Sequence, residues 1–169
     1  MREVGFLGVV IRLESIKMEE EKVKGILDWL TLKYVKDVQK FLRLVNYYHQ
    51  FIQGFIFIAR PLHNIVKKDQ KWDWTEKQEK AFRELKERFT KEPVLAILDL
   101  DKKMRMEVNI SDYATGGVLF MEYKDGIWRL VAYLSKSLNE TERNYEIYDK
   151  EMLAIIRGLE NWKHLLEGT

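Results

Sequence analysis

The sequence predicts an α+β fold in which a small helical bundle precedes a truncated sheet of three antiparallel strands closed by one helix. Two observations predict it. Apolar residues recur at steps of three and four through Phe89, and beyond Asp101 that period falls to two before a last long helical stretch. Composition agrees: 169 residues, 46% hydrophobic and 33% charged with 2 Pro and 9 Gly, suffice for one core or two small ones and exclude a disordered tail, a collagen-like repeat or a low-complexity linker.

Residues 4–11 are short, β-branched and bounded by Gly, which predicts one strand, the last of something upstream. Val23, Ile26, Leu27 and Leu30 then make an amphipathic helix whose first turn, Glu19, Glu20 and Glu21, suits the positive end of the helix dipole. A second helix is expected over residues 35–52, with Val35, Val38, Phe41, Leu42, Val45, Tyr48 and Ile52 on one face. A third, short helix is expected to follow Pro61, a residue suited to a first helical turn. Trp72-Asp73-Trp74 marks a packing joint, and Thr75 with Gln78 forms a capping box opening a helix with Ala81, Phe82, Leu85 and Phe89 inside. Pro93 stops further helix, and residues 94–98 read as extended.

In the last third, Met104, Met106, Val108 and Ile110 alternate with Arg105, Glu107 and Asn109, as in a strand with one buried face. Residues 117–123 and 128–134 flank Lys124-Asp125-Gly126 as a hairpin. Tyr148, Met152, Ile155, Leu159, Trp162 and Leu166 form the expected apolar stripe of the closing helix. The organisation reads as four segments: 1–12, 13–70, 71–101 and 102–169.

Charge and motifs narrow the function. Basic and acidic residues number 29 and 27, so no whole-chain field imposes a nucleic-acid or membrane reading, although through Gln70 the balance is 12 basic to 8 acidic and beyond it 17 to 19. With no cysteine, disulfides, thiolate metal sites and Cys nucleophiles are excluded. The longest apolar run, Phe55-Ile56-Phe57-Ile58-Ala59, is far below the roughly 20 residues that span a bilayer, and there is no signal-peptide pattern; the expectation is a soluble intracellular protein, cytoplasmic or nuclear, without a membrane partner. No phosphate loop, HExxH or catalytic-triad order occurs, and His49, His63 and His164 are scattered, as surface or cap residues would be. Acidic and amide residues remain: Asn109 at a strand end and Glu151 on the last helix could meet at one sheet edge around a divalent ion.

Several strings carry a resemblance. Gly5-Phe6-Leu7-Gly8, Lys22-Val23-Lys24-Gly25-Ile26-Leu27-Asp28-Trp29, Val38-Gln39-Lys40-Phe41-Leu42 and Asn46-Tyr47-Tyr48-His49-Gln50-Phe51-Ile52 resemble the end of the palm and the thumb of a gypsy-type LTR-retrotransposon reverse transcriptase. Trp72-Asp73-Trp74-Thr75, Ser111-Asp112-Tyr113, Gly116-Gly117-Val118-Leu119, Val131-Ala132-Tyr133-Leu134-Ser135 and the run from Glu142-Arg143-Asn144-Tyr145 to Ile155 resemble the ribonuclease H region that follows it. The resemblance is collinear over essentially the whole chain, so segment 1–12 would end the palm as its primer-grip strand, 13–70 would be thumb-like, 71–101 a link and 102–169 the first part of a ribonuclease H-like domain.

The resemblance implies a polymerase whose thumb grips an RNA/DNA or DNA duplex, and a nuclease that cuts RNA paired to DNA with two Mg ions about 3.5–4 Å apart between carboxylates. Glu151 corresponds to the second nuclease carboxylate, but Asn109 stands where the first is an Asp, a degenerate site that leaves Glu151 as a partial metal ligand. The polymerase aspartates would precede Met1 and the later nuclease acids would follow Thr169, so the remainder of both enzymes is an implied partner. Lys33, Lys36, Lys40, Arg43 and Asn46 would lie near the duplex backbone. Leu30 and Leu32 replace usual prolines, Tyr34 a capping Ser or Thr, and Arg43 a usual Gly, a pattern of element decay. Three readings follow: a fragment of a retroelement reverse transcriptase/ribonuclease H inactive alone, a noncatalytic module for nucleic-acid or protein binding, and a remnant of a transposable element.

Overall fold

The computed structural model describes residues 3–91 and 94–166 and has the expected α+β architecture. The first surprise is at the start. The single strand expected over residues 4–11 is a hairpin, β1 (Val4–Phe6) and β2 (Val9–Ile11), because Leu7 and Gly8 take positive φ of 50° and 83° and reverse the chain. The Tyr48 hydroxyl lies where a Cβ on Gly8 would be, and Tyr47 Oη donates to Leu7 O at 3.3 Å, so the turn is seated on two helix-end tyrosines. Burial raises the Tyr48 pKa, with lesser contributions from Tyr47 and Glu19, and so keeps its hydroxyl protonated. An unanticipated strand, β3 (Ser15–Met18), pairs with β2 and with the short β4 (Leu95–Ala96), giving an antiparallel sheet ordered β1-β2-β3-β4.

Helix α1 (Glu20–Leu27) buries Ile26 while Leu30 lies beyond its end, 83% exposed. Helix α2 (Val35–Tyr47) stops short of the expected residue 52 and passes into a 3-10 turn, His49–Phe51, yet Tyr48, Phe51 and Ile52 remain buried as the apolar pattern requires. The helix expected to follow Pro61 instead begins earlier: α3 (Phe55–Ile65) contains Pro61, and Gly54 in the left-handed region (φ 65°) leads into it. Residues 55–59, an apolar run in the sequence, are its first turns and bury Phe55 and Ala59. Pro61 removes only the amide that would have reached Phe57 O, on an exposed side of the helix. Helix α4 (Glu76–Thr90) opens on the expected capping box, with Trp72 stacked on Trp74, and Trp74 and Phe41 edge-on to Phe82. Pro93, the expected helix stop, lies outside the described residues.

The second sheet is β5 (Met104–Ile110), β6 (Ala114–Glu122) and β7 (Trp128–Ser137), antiparallel in that order, with β6 and β7 joined at Gly126 (φ 75°) and shifted in register between Leu119 and Phe120. Along β5 burial alternates as the sequence predicts. A four-residue helix α5 (Glu140–Arg143), held by the Asn139–Glu142 capping box, leads to α6 (Ile147–Leu166).

Helix α6 turns a different face to the sheet from the one expected. Of the apolar stripe only Trp162 is buried; Tyr148, Met152, Ile155 and Leu159 are exposed, Tyr148 by 81%. The seated row is Ala154, Arg157, Gly158 and Trp162. Small residues win because they allow close approach: a Cβ on Gly158 would fall 2.5 Å from Met106 Sδ and 3.0 Å from Val108 Cγ1. Arg157 is 6% exposed; its Nη2 donates to both carboxylate oxygens of Glu142, each at 2.8 Å, while Nη1 donates to Thr115 Oγ1 at 3.1 Å and Ser137 O at 3.3 Å.

Glu142→Ala leaves the buried Arg157 guanidinium uncompensated and breaks the α5 capping box; a loss of about 3 kcal/mol or more is expected in urea unfolding, and Glu142→Leu/Arg157→Met, which removes both charges, should lose less than the single variant. At α2, Tyr34 occupies the N-cap without a side-chain cap bond. Tyr34→Ser supplies the acceptor and should stabilise the chain by about 1 kcal/mol, read as a higher melting temperature.

Candidate functional site

Three polar surfaces are candidates. The first is the end of the β5–β7 sheet. Asn109, paired with Gly116, belongs to the exposed row of β5 with Arg105 and Glu107, and its Oδ1 accepts the Ile110 amide at 2.7 Å. Glu151 is exposed near the start of α6. An ion pair of 3.5 Å between Lys150 and Asp112 ties that end of α6 to the loop after β5, while α6 packs on the Met106 and Val108 face and Asn109 belongs to the opposite, exposed row. Magnesium does not fit this donor set. The pair offers one carboxylate and one neutral amide already engaged by backbone, and among the described residues no group of three His, Asp or Glu side chains is placed to hold an ion. These residues alone therefore support no step of phosphoryl transfer.

The second surface is the outer face of α2. The helix buries Val38, Phe41, Leu42 and Val45, which forces Lys36, Lys40, Arg43 and Asn46 together onto the opposite side, all exposed, with Lys33 just before the helix. Among the described residues Lys36, Lys40 and Arg43 enter no ion pair, and Asp37 Oδ2 is occupied by the Lys33 amide at 3.3 Å. The arrangement is a row of free cations at helical spacing.

The third was not legible in the sequence. Helix α3 and the 3-10 turn pack on the β7 edge of the sheet, where the Ile56 amide donates to Ser135 Oγ at 3.0 Å. A cavity of about 430 Å³ opens there between α3, Tyr113 and the end of β7. Arg60 lies flat over the Tyr113 ring, 3.6 Å from its centroid, with Arg143 5.9 Å from the same ring. His63, expected at the surface or in a cap, is half-buried here; its Nε2 has no hydrogen-bond partner. Burial lowers the His63 pKa, and Lys67 lowers it further. Only the Arg60-to-Lys67 spacing of two turns hinted at this cluster, and the sheet residues opposite could not be read from sequence.

A family model described as an RNase H-like domain found in reverse transcriptase matches residues 74–169, and the chain belongs to that family. The matched span takes in α4 and β4 as well as the second sheet. Over 167 residues the chain is 36% identical to the Transposon Tf2-3 and Tf2-4 polyproteins of Schizosaccharomyces pombe, which takes in 99% of this chain and 12% of each relative. It thus spans about an eighth of the length of the curated relatives it matches. Among solved structures, a foamy viral protease-reverse transcriptase in complex with RNA/DNA hybrid shares the fold at TM-score 0.82 and 22% identity, over 99% of this chain and 23% of that one. A foamy viral complex with double-stranded DNA does so at TM-score 0.81 and 22% identity, over 99% and 29%.

Proposed function

We propose that this chain is the duplex-gripping and nuclease-scaffold segment of a retroelement polyprotein, with a thumb-like helical region that holds an RNA/DNA or DNA duplex and no complete catalytic centre of its own. The observation that carries this reading is the exposed, unpaired row Lys36, Lys40 and Arg43 on α2, flanked by Lys33 and Asn46, in a chain of reverse-transcriptase kinship. Such a row tracks phosphates and needs no base contacts. The two foamy viral neighbours are complexes with hybrid and with duplex DNA, which supports the same ligand class. In this reading Asn109 and Glu151 are the degenerate remains of the nuclease metal edge, and the chain acts inside the cell, in cytoplasm or nucleus.

A second observation favours operation as part of a larger protein. Tyr148, Met152, Ile155 and Leu159 leave an apolar row in water on α6, a surface of the kind that further protein covers. In the proposed role the remainder of the polymerase and nuclease supplies that cover.

Anisotropy with an RNA/DNA hybrid tests the grip: log affinity should fall linearly with log salt, and Lys36→Ala/Lys40→Ala/Arg43→Ala should flatten the slope by roughly 0.7–0.9 for each phosphate no longer neutralised. An unchanged slope would remove α2 from the interface. For the metal edge, Asn109→Asp provides a second carboxylate, and Mg and its analogues are held by one or two with water completing the shell. Thermal shift with Mn should show ion-dependent stabilisation in Asn109→Asp, none in the parent and none in Asn109→Asp/Glu151→Ala. An equal response in parent and variant would place the two residues in separate environments.

A further inference from the structure

The cavity between α3 and the sheet combines features that the duplex-gripping role of α2 leaves unused. Arg60 and Lys67 reach it from α3 and the turn after it, and Arg143 from α5; these parts of the chain are distant in sequence and adjacent in space, where Ile56 of α3 is bonded to Ser135 of β7. None of the three cations has a carboxylate partner among the described residues, and no Asp or Glu lines the cavity. Like charges gathered in one concave, partly desolvated place repel, and in such a place an anion is attracted more strongly than at a flat surface. Hydrogen-bonding groups are present too: His63 Nε2 is enclosed and unpartnered, and the Asn64 amide lies on the same wall. A buried polar nitrogen without a partner is rare enough in folded chains to call for a ligand or water.

A second cavity, about 380 Å³, lies on the other side of the same Arg60, Asn64 and Lys67 side chains and adds Lys71, with Asp73 as its one acidic lining residue. Arg60 and Lys67 thus line both cavities, with Arg143 added in the first and Lys71 in the second. Cations shared between two adjoining cavities suit an extended anion better than a single small one.

We propose that this crevice is a phosphate-binding site for a nucleic-acid backbone, separate from the α2 row, in which Arg60, Lys67 and Arg143 neutralise a phosphodiester and His63 Nε2 hydrogen-bonds one of its oxygens. Tyr113 keeps Arg60 in place by stacking and leaves the guanidinium edge free to donate. Burial first and Lys67 second lower the His63 pKa. The choice of a backbone phosphate as the ligand rests on the proposed duplex-gripping function; the oxyanion site itself does not.

The test uses the full chain, two probes and two readouts. Lys67→Gln/Arg143→Gln removes two charges without touching the Arg60–Tyr113 stack, and its melting temperature checks the fold; Lys67→Gln alone is the fallback if the pair is unstable. In anisotropy with an RNA/DNA hybrid, the double variant should flatten the salt dependence by roughly 0.7–0.9, the share of the one phosphate held there. In NMR, the hybrid should shift the His63 ring resonances of the parent and leave those of the double variant in place, with inorganic phosphate as the comparison probe. If the hybrid binds with His63 unmoved and the slope unchanged, the crevice is overturned while the α2 grip stands. If inorganic phosphate shifts His63 but the hybrid does not bind, the backbone source is overturned together with the grip. If neither probe moves His63, the site is overturned altogether.

Discussion

A buried guanidinium sets the geometry of the second half of the molecule. Arg157 cannot be left at 6% exposure without acceptors, and it finds them on three other elements: Glu142 of α5, Thr115 of β6 and Ser137 of β7. With Nη2 held on Glu142 and Nη1 on Thr115 and Ser137, the planar guanidinium fixes both the distance and the rotation of α6 about its axis. With that rotation fixed, Gly158 faces Met106 and Val108, Trp162 reaches Gly117, and the row from Tyr148 to Leu159 has to point outward. The exposed apolar row is thus a consequence of an internal constraint. Helix α5 depends on the same pair, because four residues do not sustain a helix alone and Glu142 serves its capping box and Arg157 at once.

The helical region and the second sheet are joined by one short strand. In β4, Leu95 packs into the core of α1–α4 and Ala96 into the core of β5–β7 and α6, a separation that strand alternation produces at adjacent residues. The Ile56–Ser135 bond adds a second tie on the face of β7 away from α6. Because both ties lie along β7, the helices cover that edge and leave a crevice where α3 diverges toward Tyr113. Tyr123 and Arg129 add further contacts to Glu14, and together these ties bring cations from distant parts of the chain to one place.

Much of this was legible in the sequence, for physical reasons that differ by element. The Thr75–Gln78 box and the alternation over Met104–Ile110 are local signals, and both are observed as read. The Gly54–Ile65 region misled because proline punctuates strongly, yet Pro61 costs little where the carbonyl it leaves unbonded is on an exposed side. The α6 stripe misled because hydrophobic size marks a face only when that face is covered; close packing through Ala154 and Gly158 with a buried Arg157 overrode it. Asn109 and Glu151 were paired from a strand-end position and a helix position and then by resemblance; the Lys150–Asp112 ion pair ties the start of α6 to the loop after β5, while Asn109 belongs to the exposed row of β5. The His63 cavity needed contacts between residues far apart in sequence, which no local pattern encodes.

Charge pairing separates the surfaces that face only water from those open to a polyanion. Along α4 and its C-cap each of Arg83, Arg88 and Lys91 has a glutamate four residues earlier, and all three ion pairs form, so much of that helix's charge is matched internally. On α2 the residues four before Lys36, Lys40 and Arg43 are Leu32, Lys36 and Gln39, and on α3 and the turn after it those four before Arg60 and Lys67 are Ile56 and His63. The one acid of α2, Asp37, lies three residues before Lys40 but forms no ion pair with it, its Oδ2 accepting the Lys33 amide instead, and α3 has no acidic residue. The chain's small net charge of +2 says nothing of this placement. In the proposed role, the gathering of unpaired cations on one face of α2 and in one cavity beside α3, more than any total, decides where a phosphate backbone would be held.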